Sequence, residues 1–271
     1  MQIRELVLGS VLSTAIAALA GFAPQSTKSD GIAQVKELAR GFSLYAADWE
    51  ETYPLAMGHA TGVWMLYRSV EAPAGLLRET TEERKLADAS VWVNSVASYW
   101  KSTDLLRIPD APVKKLEAKL EDTLKNPWLV GFNYNGLLHQ LPKSSVENPE
   151  LVPAIWTGQG NVNREGFSSA SPILKCGLVT DPCRFDPSLT KWEMRASLVR
   201  VEGPTAVFDG AMVFGMIDGS ARRITPQLDR KSNPTSDDPN AGYNSSGTPS
   251  FYVTDRQGYP PLFRPDRKPK E

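Results

Sequence analysis

"IAQVKELARGFSLYAADWEETYP", residues 32 to 54, is the stretch from which the fold is read. Ile32, Val35, Leu38, Ala39, Phe42, Tyr45, Ala46 and Trp49 recur at spacings of three and four, which is one apolar face of a helix. The Tyr53-Pro54 pair marks where that helix must have ended, because a residue before proline is driven out of the helical region. Phe42, Tyr45 and Trp49 are expected to face a sheet, and Arg40, Asp48 and Glu50 to be wet. Just upstream, "PQSTKSDG" (24 to 31) is small, polar and Pro-initiated, so it reads as a linker that lets the helix start near Ser29 or Asp30.

Further upstream, the chain opens "MQIRELVL" and then runs from Leu6 to Phe22 without a charge. A membrane span wants roughly 20 apolar residues and a signal-peptide core roughly 7 to 15, so the run falls between them. Residues 1–23 are read either as an export signal cut between Ala20 and Gly21, after the small-x-small pattern Ala18-Leu19-Ala20, or as a retained membrane helix. In the second case Gly9, Ser10, Ser13 and Thr14 would let helices pack closely in lipid. Both place the body of the protein outside the cytoplasm, in the cell envelope or beyond it. Cys176 and Cys183 bracket "GLVTDP"; in an oxidising compartment a disulfide closing that loop would stabilise by about 2.5 kcal/mol. Zinc would need two further ligands, and the only histidines are His59 and His139.

Downstream of the decisive helix, Thr80 to Lys101 reads as a second helical region with Leu86, Ala89, Val93, Val96 and Ala97 on its inner side. "APVKKLEAKLEDTLK" (111 to 125) reads as a short surface helix with Val113, Leu116, Leu120 and Leu124 facing inward. Beyond it, "WLVGFNYNGLL" and "LVPAIW" alternate with Gly, Pro and Asn in the manner of strands and turns. The clearest β signal is "TAVFDGAMVFGMIDGSARRI" (205 to 224), where Asp209-Gly210 and Asp218-Gly219 are both pairs suited to two-residue type I′ turns. That predicts a three-stranded meander whose middle strand, Ala211 to Ile217, is apolar on both faces and covered on both sides. Residues 32–228 are thus read as one α+β domain, and 229–271 as a Pro-rich, extended C-terminal tail in which Phe251, Tyr252, Tyr259, Leu262 and Phe263 are available to dock on the body.

Catalytic grammar is sparse. The chain has 271 residues, 41% hydrophobic and 23% charged, with a net charge of −1, which lacks the basic footprint of a nucleic-acid binder. No Gly-x-Ser-x-Gly, His-Glu-x-x-His or phosphate-loop pattern occurs. His59 and His139 read as hydrogen-bonded structural residues, and the pairs Glu50-Glu51, Glu82-Glu83 and Asp237-Asp238 as solvated charge. No enzyme activity and no cofactor are expected; Asp181, Asp186 and Asp237-Asp238 are the oxygen ligands available to a structural calcium, at a spacing that matches no EF-hand loop.

Four stretches, in order, resemble the prepilin-like or pseudopilin-like proteins of planctomycete-type bacteria: residues 32–54, "VASYWKSTDLLRIPDAP" (96–112), "GFNYNGLL" (131–138) with "SSVENPELVPAIW" (144–156), and "FDGAMVFGMIDGSARRI" (208–224). The family carries a C-terminal motif of histidine, nine residues and Asp-Gly; here Phe208 stands in the histidine's place, ahead of Asp218-Gly219. The resemblance implies a pilin-like head, an N-terminal apolar helix leading to an amphipathic helix packed on an antiparallel sheet, with Asp209, Gly210, Asp218 and Gly219 in the closing hairpin. It implies a non-enzymatic structural or accessory subunit of a type IV pilus or type II secretion-like assembly, meeting like subunits and the membrane through its N-terminal helix. Glu5 would then occupy the position of the glutamate that pairs with a neighbour's N-terminal amine during assembly; otherwise it is a wet residue of an export signal. "RGFSL" (40–44) imitates a prepilin cleavage junction, but Asp48, Glu50 and Glu51 would each be costly, roughly 2.5 to 3.5 kcal/mol for an Asp, in the membrane helix such a cut would start. A secreted binding protein recognising a glycan or surface ligand through Trp156, Trp192 and Tyr243 is the alternative.

Overall fold

The structure is a computed structural model and describes residues 31–65, 69–116, 122–176, 183–188, 195–197, 202–226, 238–252 and 254–269. Residues 1–23, with Glu5, Ala20 and Gly21, and linker residues 24–30 lie outside the described residues.

The chain folds as mixed helix and sheet; among the described residues its strands pair antiparallel save for one two-residue parallel pair. Helix α1, Ile32–Asp48, forms as its periodicity predicts: Val35, Leu38, Ala39, Phe42, Tyr45 and Ala46 are buried. It lies on a four-stranded sheet made of Asn133–Tyr134, Pro153–Trp156, Met212–Met216 and Ala221–Ile224, adjacent in chain order from one edge to the other. Two glycines permit the close approach. A Cβ on Gly215 would lie about 3.0 Å from Ala39 and Val35 of α1, and one on Gly41 would collide with the Trp100 indole, whose Nε1 donates to the Leu38 carbonyl at 3.1 Å.

The middle strand, Met212–Met216, is buried at every position, covered on both faces as its apolar sequence predicts. Gly215 faces α1. On the other face Phe214 stacks on Trp156 of the neighbouring strand, centroids 5.6 Å apart, and the C-terminal Phe263 packs against both rings. Tyr259, Leu262 and Phe263 are buried, and Asn135 holds the Phe263 carbonyl through its side-chain amide at 2.9 Å. The core is therefore layered as α1, sheet, C-terminal segment.

Three expectations need correction. Trp49 does not face the sheet: it is 58% exposed and stacks on Tyr45, because α1 ends at Asp48 and the chain then passes through two residues of positive φ, Glu50 and Glu51. Thr80 to Lys101 is not one helix but α2 (Glu82–Ala89), α3 (Trp92–Ser95) and a 3₁₀ turn, Ala97–Tyr99. Leu86 points to solvent, 73% exposed, because α2 is oriented by a buried polar anchor, Asp88, rather than by its leucine. The described part of 111–125 contains no α-helix: Val113–Lys114 pairs in parallel with Asn163-Arg164, held by the Asn163 side chain on the Ile108 and Ala111 carbonyls, and Leu124 is exposed.

Candidate functional site

The Asp-Gly hairpins come first. Asp209 (φ 50) and Gly210 (φ 73) form the type I′ turn their sequence predicts, between Phe208 and Ala211, which form a single bridge rather than a third strand. Asp218-Gly219 closes a different turn: only Gly219 has positive φ, its N–H donates to the Met216 carbonyl at 3.0 Å, and Asp218 accepts from the Ser220 N–H and hydroxyl. This is the one-residue-longer, bulged form of hairpin turn. The meander is thus a hairpin of Met212–Met216 and Ala221–Ile224 with a one-bridge approach. Phe208 is buried over Gly31, at the start of α1, so the apolar ring in the motif's histidine position serves as packing.

The described termini of the Cys176 to Cys183 loop are joined as a disulfide, with Cα atoms 5.4 Å apart. Two residues on, Phe185 packs on Tyr259, and Arg264 lies over both rings at 5.3 and 5.6 Å while pairing with Asp255 and Asp266. The pairing carboxylates raise the Arg264 pKa against the opposing effect of burial, which works first and most strongly. The cystine thereby fastens one loop beside the C-terminal segment.

His139 is fully buried. Its Nδ1 accepts the Ala56 N–H at 2.9 Å, so its proton sits on Nε2; the Gln140 side-chain amide, 3.0 Å away, accepts from that Nε2–H when its oxygen is turned toward the ring, because its NH2 there would set donor against donor. Burial pulls its pKa down to about 3. Trp64 stands edge-on between His139 and His59, with centroids at 4.6 and 5.3 Å. A neutral imidazole with both nitrogens engaged in structure is packing, as its sequence context suggests.

Sequence reading missed a buried carboxylate knot. Glu71 and Asp88 are both buried; Glu71 accepts from the Leu76 N–H (2.7 Å) and from Thr80, while Asp88 accepts from Arg84 Nε (2.8 Å) and the Glu71 N–H (3.1 Å). Asn94 closes the knot on the Glu71 and Asp88 carbonyls. Burial raises the Asp88 pKa, opposed by Arg84. Every acceptor here faces backbone or a neighbouring side chain, an arrangement that fixes the 69–81 loop on α2.

Beside the knot a groove of about 470 Å³ is lined by Leu77, Glu79, Lys114, Lys115, Arg164 and Glu165. Its cations are matched within it or next to it: Lys115 pairs with Glu165 at 3.1 Å, and Lys114 and Arg164 both reach Glu202, at 2.8 and 2.9 Å. Against the effect of burial, those two cations hold the Glu202 carboxyl below its ordinary range.

Of the calcium candidates, Asp181 and Asp237 lie outside the described residues; Asp186 binds Ser188, and Asp238 takes the Tyr243 hydroxyl at 2.8 Å. Among the described residues no three His, Cys, Asp or Glu side chains are grouped to hold a metal. Of the aromatic residues suggested for ligand recognition, Trp156 is buried with its Nε1 donating to the Ser171 carbonyl, Tyr243 is half-buried, and Trp192 lies outside the described residues. Among the described residues the aromatic side chain most open to solvent is Trp49. Among the described residues no helix is long and apolar enough to cross a membrane. Compared with known proteins, the chain matches no family model, no curated protein and no solved structure.

Proposed function

We propose that the chain is a non-enzymatic, pilin-like envelope protein: a structural or accessory subunit of a type IV pilus or type II secretion-like assembly, with residues 1–23 as its membrane element. The observation that carries this reading is α1 laid across a sheet whose four strands succeed one another in chain order, every neighbour antiparallel. Helix α1 begins at Ile32, ten residues past Phe22, so only the short linker 24–31 would separate the N-terminal apolar segment from the helix that packs on the sheet. In lipid an unpaired Glu5 carboxylate is costly, so pairing with a neighbour's N-terminal amine would make association directional.

The test is the mature N-terminus and the fraction in which it is found. Intact mass showing residues 1–23 retained, in detergent-extracted membranes or sheared filaments, with loss of assembly in Glu5→Ala, is the expected result. A protein beginning at Gly21 and free in the soluble fraction would remove the subunit reading.

A further inference from the structure

The two ends of α1's exposed surface carry opposite charge. At its C-terminal end Trp49 is 58% exposed, with one indole face on Tyr45 (5.7 Å, 12° between planes) and Tyr45 braced edge-on by Tyr99. Around it stand Asp48, which takes the Tyr99 hydroxyl at 3.0 Å, Glu50 and Glu51; among the described residues the one cation paired there is Lys143, 2.9 Å from Glu51. The turn that sets Trp49 outward is fixed rather than loose. Glu50 and Glu51 both have positive φ, a conformation a non-glycine residue keeps only where its surroundings hold it, and the Glu51 and Leu141 carbonyls tie 51–53 to 141–143. One turn and more back along α1 the balance reverses. Arg40 (66% exposed) and Lys101 (83% exposed) flank one carboxylate, Glu37, at 3.9 and 3.6 Å, and the exposed Lys36 lies one turn before Arg40 on the same side of the helix.

Carboxylates outnumber cations at one place, and at the other Lys36, Arg40 and Lys101 outnumber Glu37 and Asp218, whose neighbour Gly219 packs on Arg40, so the two are complementary to each other and not to themselves. We propose that they are two halves of one self-association contact, in which the Trp49 end of one copy receives the Lys36 and Arg40 flank of the next. A guanidinium stacks on an indole face and bonds carboxylates beside it, so Arg40 is the group that Trp49, Asp48 and Glu50 are suited to take. Pairing either half with its own kind would set carboxylates against carboxylates or cations against cations, so each half meets the other. Arg40 and Trp49 lie nine residues apart, about 13 Å along a helix and about 900° around it, so the two halves point to opposite sides of α1; a two-fold contact would need both on one face, and the contact is therefore head-to-tail and repeats. This deepens the subunit reading above and rests on it for its setting.

The test uses full-length chains in mild detergent, Thr52→Cys beside Trp49 and Leu44→Cys one turn from Arg40, which leave both residues in place, oxidised separately and as a mixture. A head-to-tail contact yields cross-linked dimer in the mixture, several-fold above either variant alone, and charge reversal at Asp48→Lys with Glu50→Lys on the Thr52→Cys chain abolishes it. No cross-link in the mixture, equal cross-linking of one variant with itself, or cross-links that survive the charge reversal would each overturn the contact. Mixed cross-links in a chain that fractionates as a free soluble protein keep the contact and remove the subunit reading; a membrane-retained chain without them does the reverse.

Discussion

His139 shows how a single residue sets a property of the whole chain. Its pKa is pulled by burial to about 3, below the roughly 6.5 of an exposed imidazole, so the unfolded chain takes up a proton that the folded chain refuses. Its contribution is therefore fully present above about pH 6.5 and is lost, by up to about 1.4 kcal/mol per pH unit, as pH falls toward 3. Urea denaturation across this range should show that slope in the native chain. His139→Asn, which keeps an acceptor for the Ala56 N–H, should be less stable at pH 7 yet lose stability less steeply below pH 6.5; an unchanged slope would assign the acid sensitivity to other groups. The structural role of this histidine was readable from "GLLHQLP", whereas the Glu71 and Asp88 knot was not, because nothing in a local sequence marks a carboxylate whose partners are backbone N–H groups brought in by a loop.

Among the elements, α1 was legible because its burial follows its own period. Where the period failed, a polar anchor or a backbone constraint had taken over. Trp49 fits the apolar stripe by spacing but falls past the last helical turn, and α2 is turned by Asp88 so that Leu86 is outside. At 113–114 the chain is claimed by pairing with Asn163-Arg164, a partner fifty residues away that no local pattern reveals. The close seat of α1 gives a prediction of its own. Gly41→Ala would drive the Trp100 indole from its place on the Leu38 carbonyl and should destabilise by about 1–3 kcal/mol. Because the clash is with Trp100, adding Trp100→Phe should cost less than the sum of the two single changes, measured as a double-mutant cycle.

At the scale of the whole molecule, the core is closed from opposite sides by the two most distant described parts of the chain: α1 on one face of the sheet, and Tyr259 to Phe263 on the other. The α+β class and the doubly covered middle strand could be read from "AMVFGMI", while the layer opposite α1 could only be suspected from aromatic residues in a Pro-rich end. Phe263→Ala should lower stability by roughly 3–5 kcal/mol, as for other fully buried phenylalanines, with an unchanged denaturant slope. An effect below 1 kcal/mol would mean that the segment rests on the sheet without sealing it. Such a seal has a consequence in time. A chain that emerges amino end first has its helix and all four strands available by residue 224, yet the Trp156 and Phe214 face stays open to water until residue 263 has followed. For that interval the nascent protein presents an apolar sheet, and its safe passage depends on a chaperone's cover or on swift completion of synthesis.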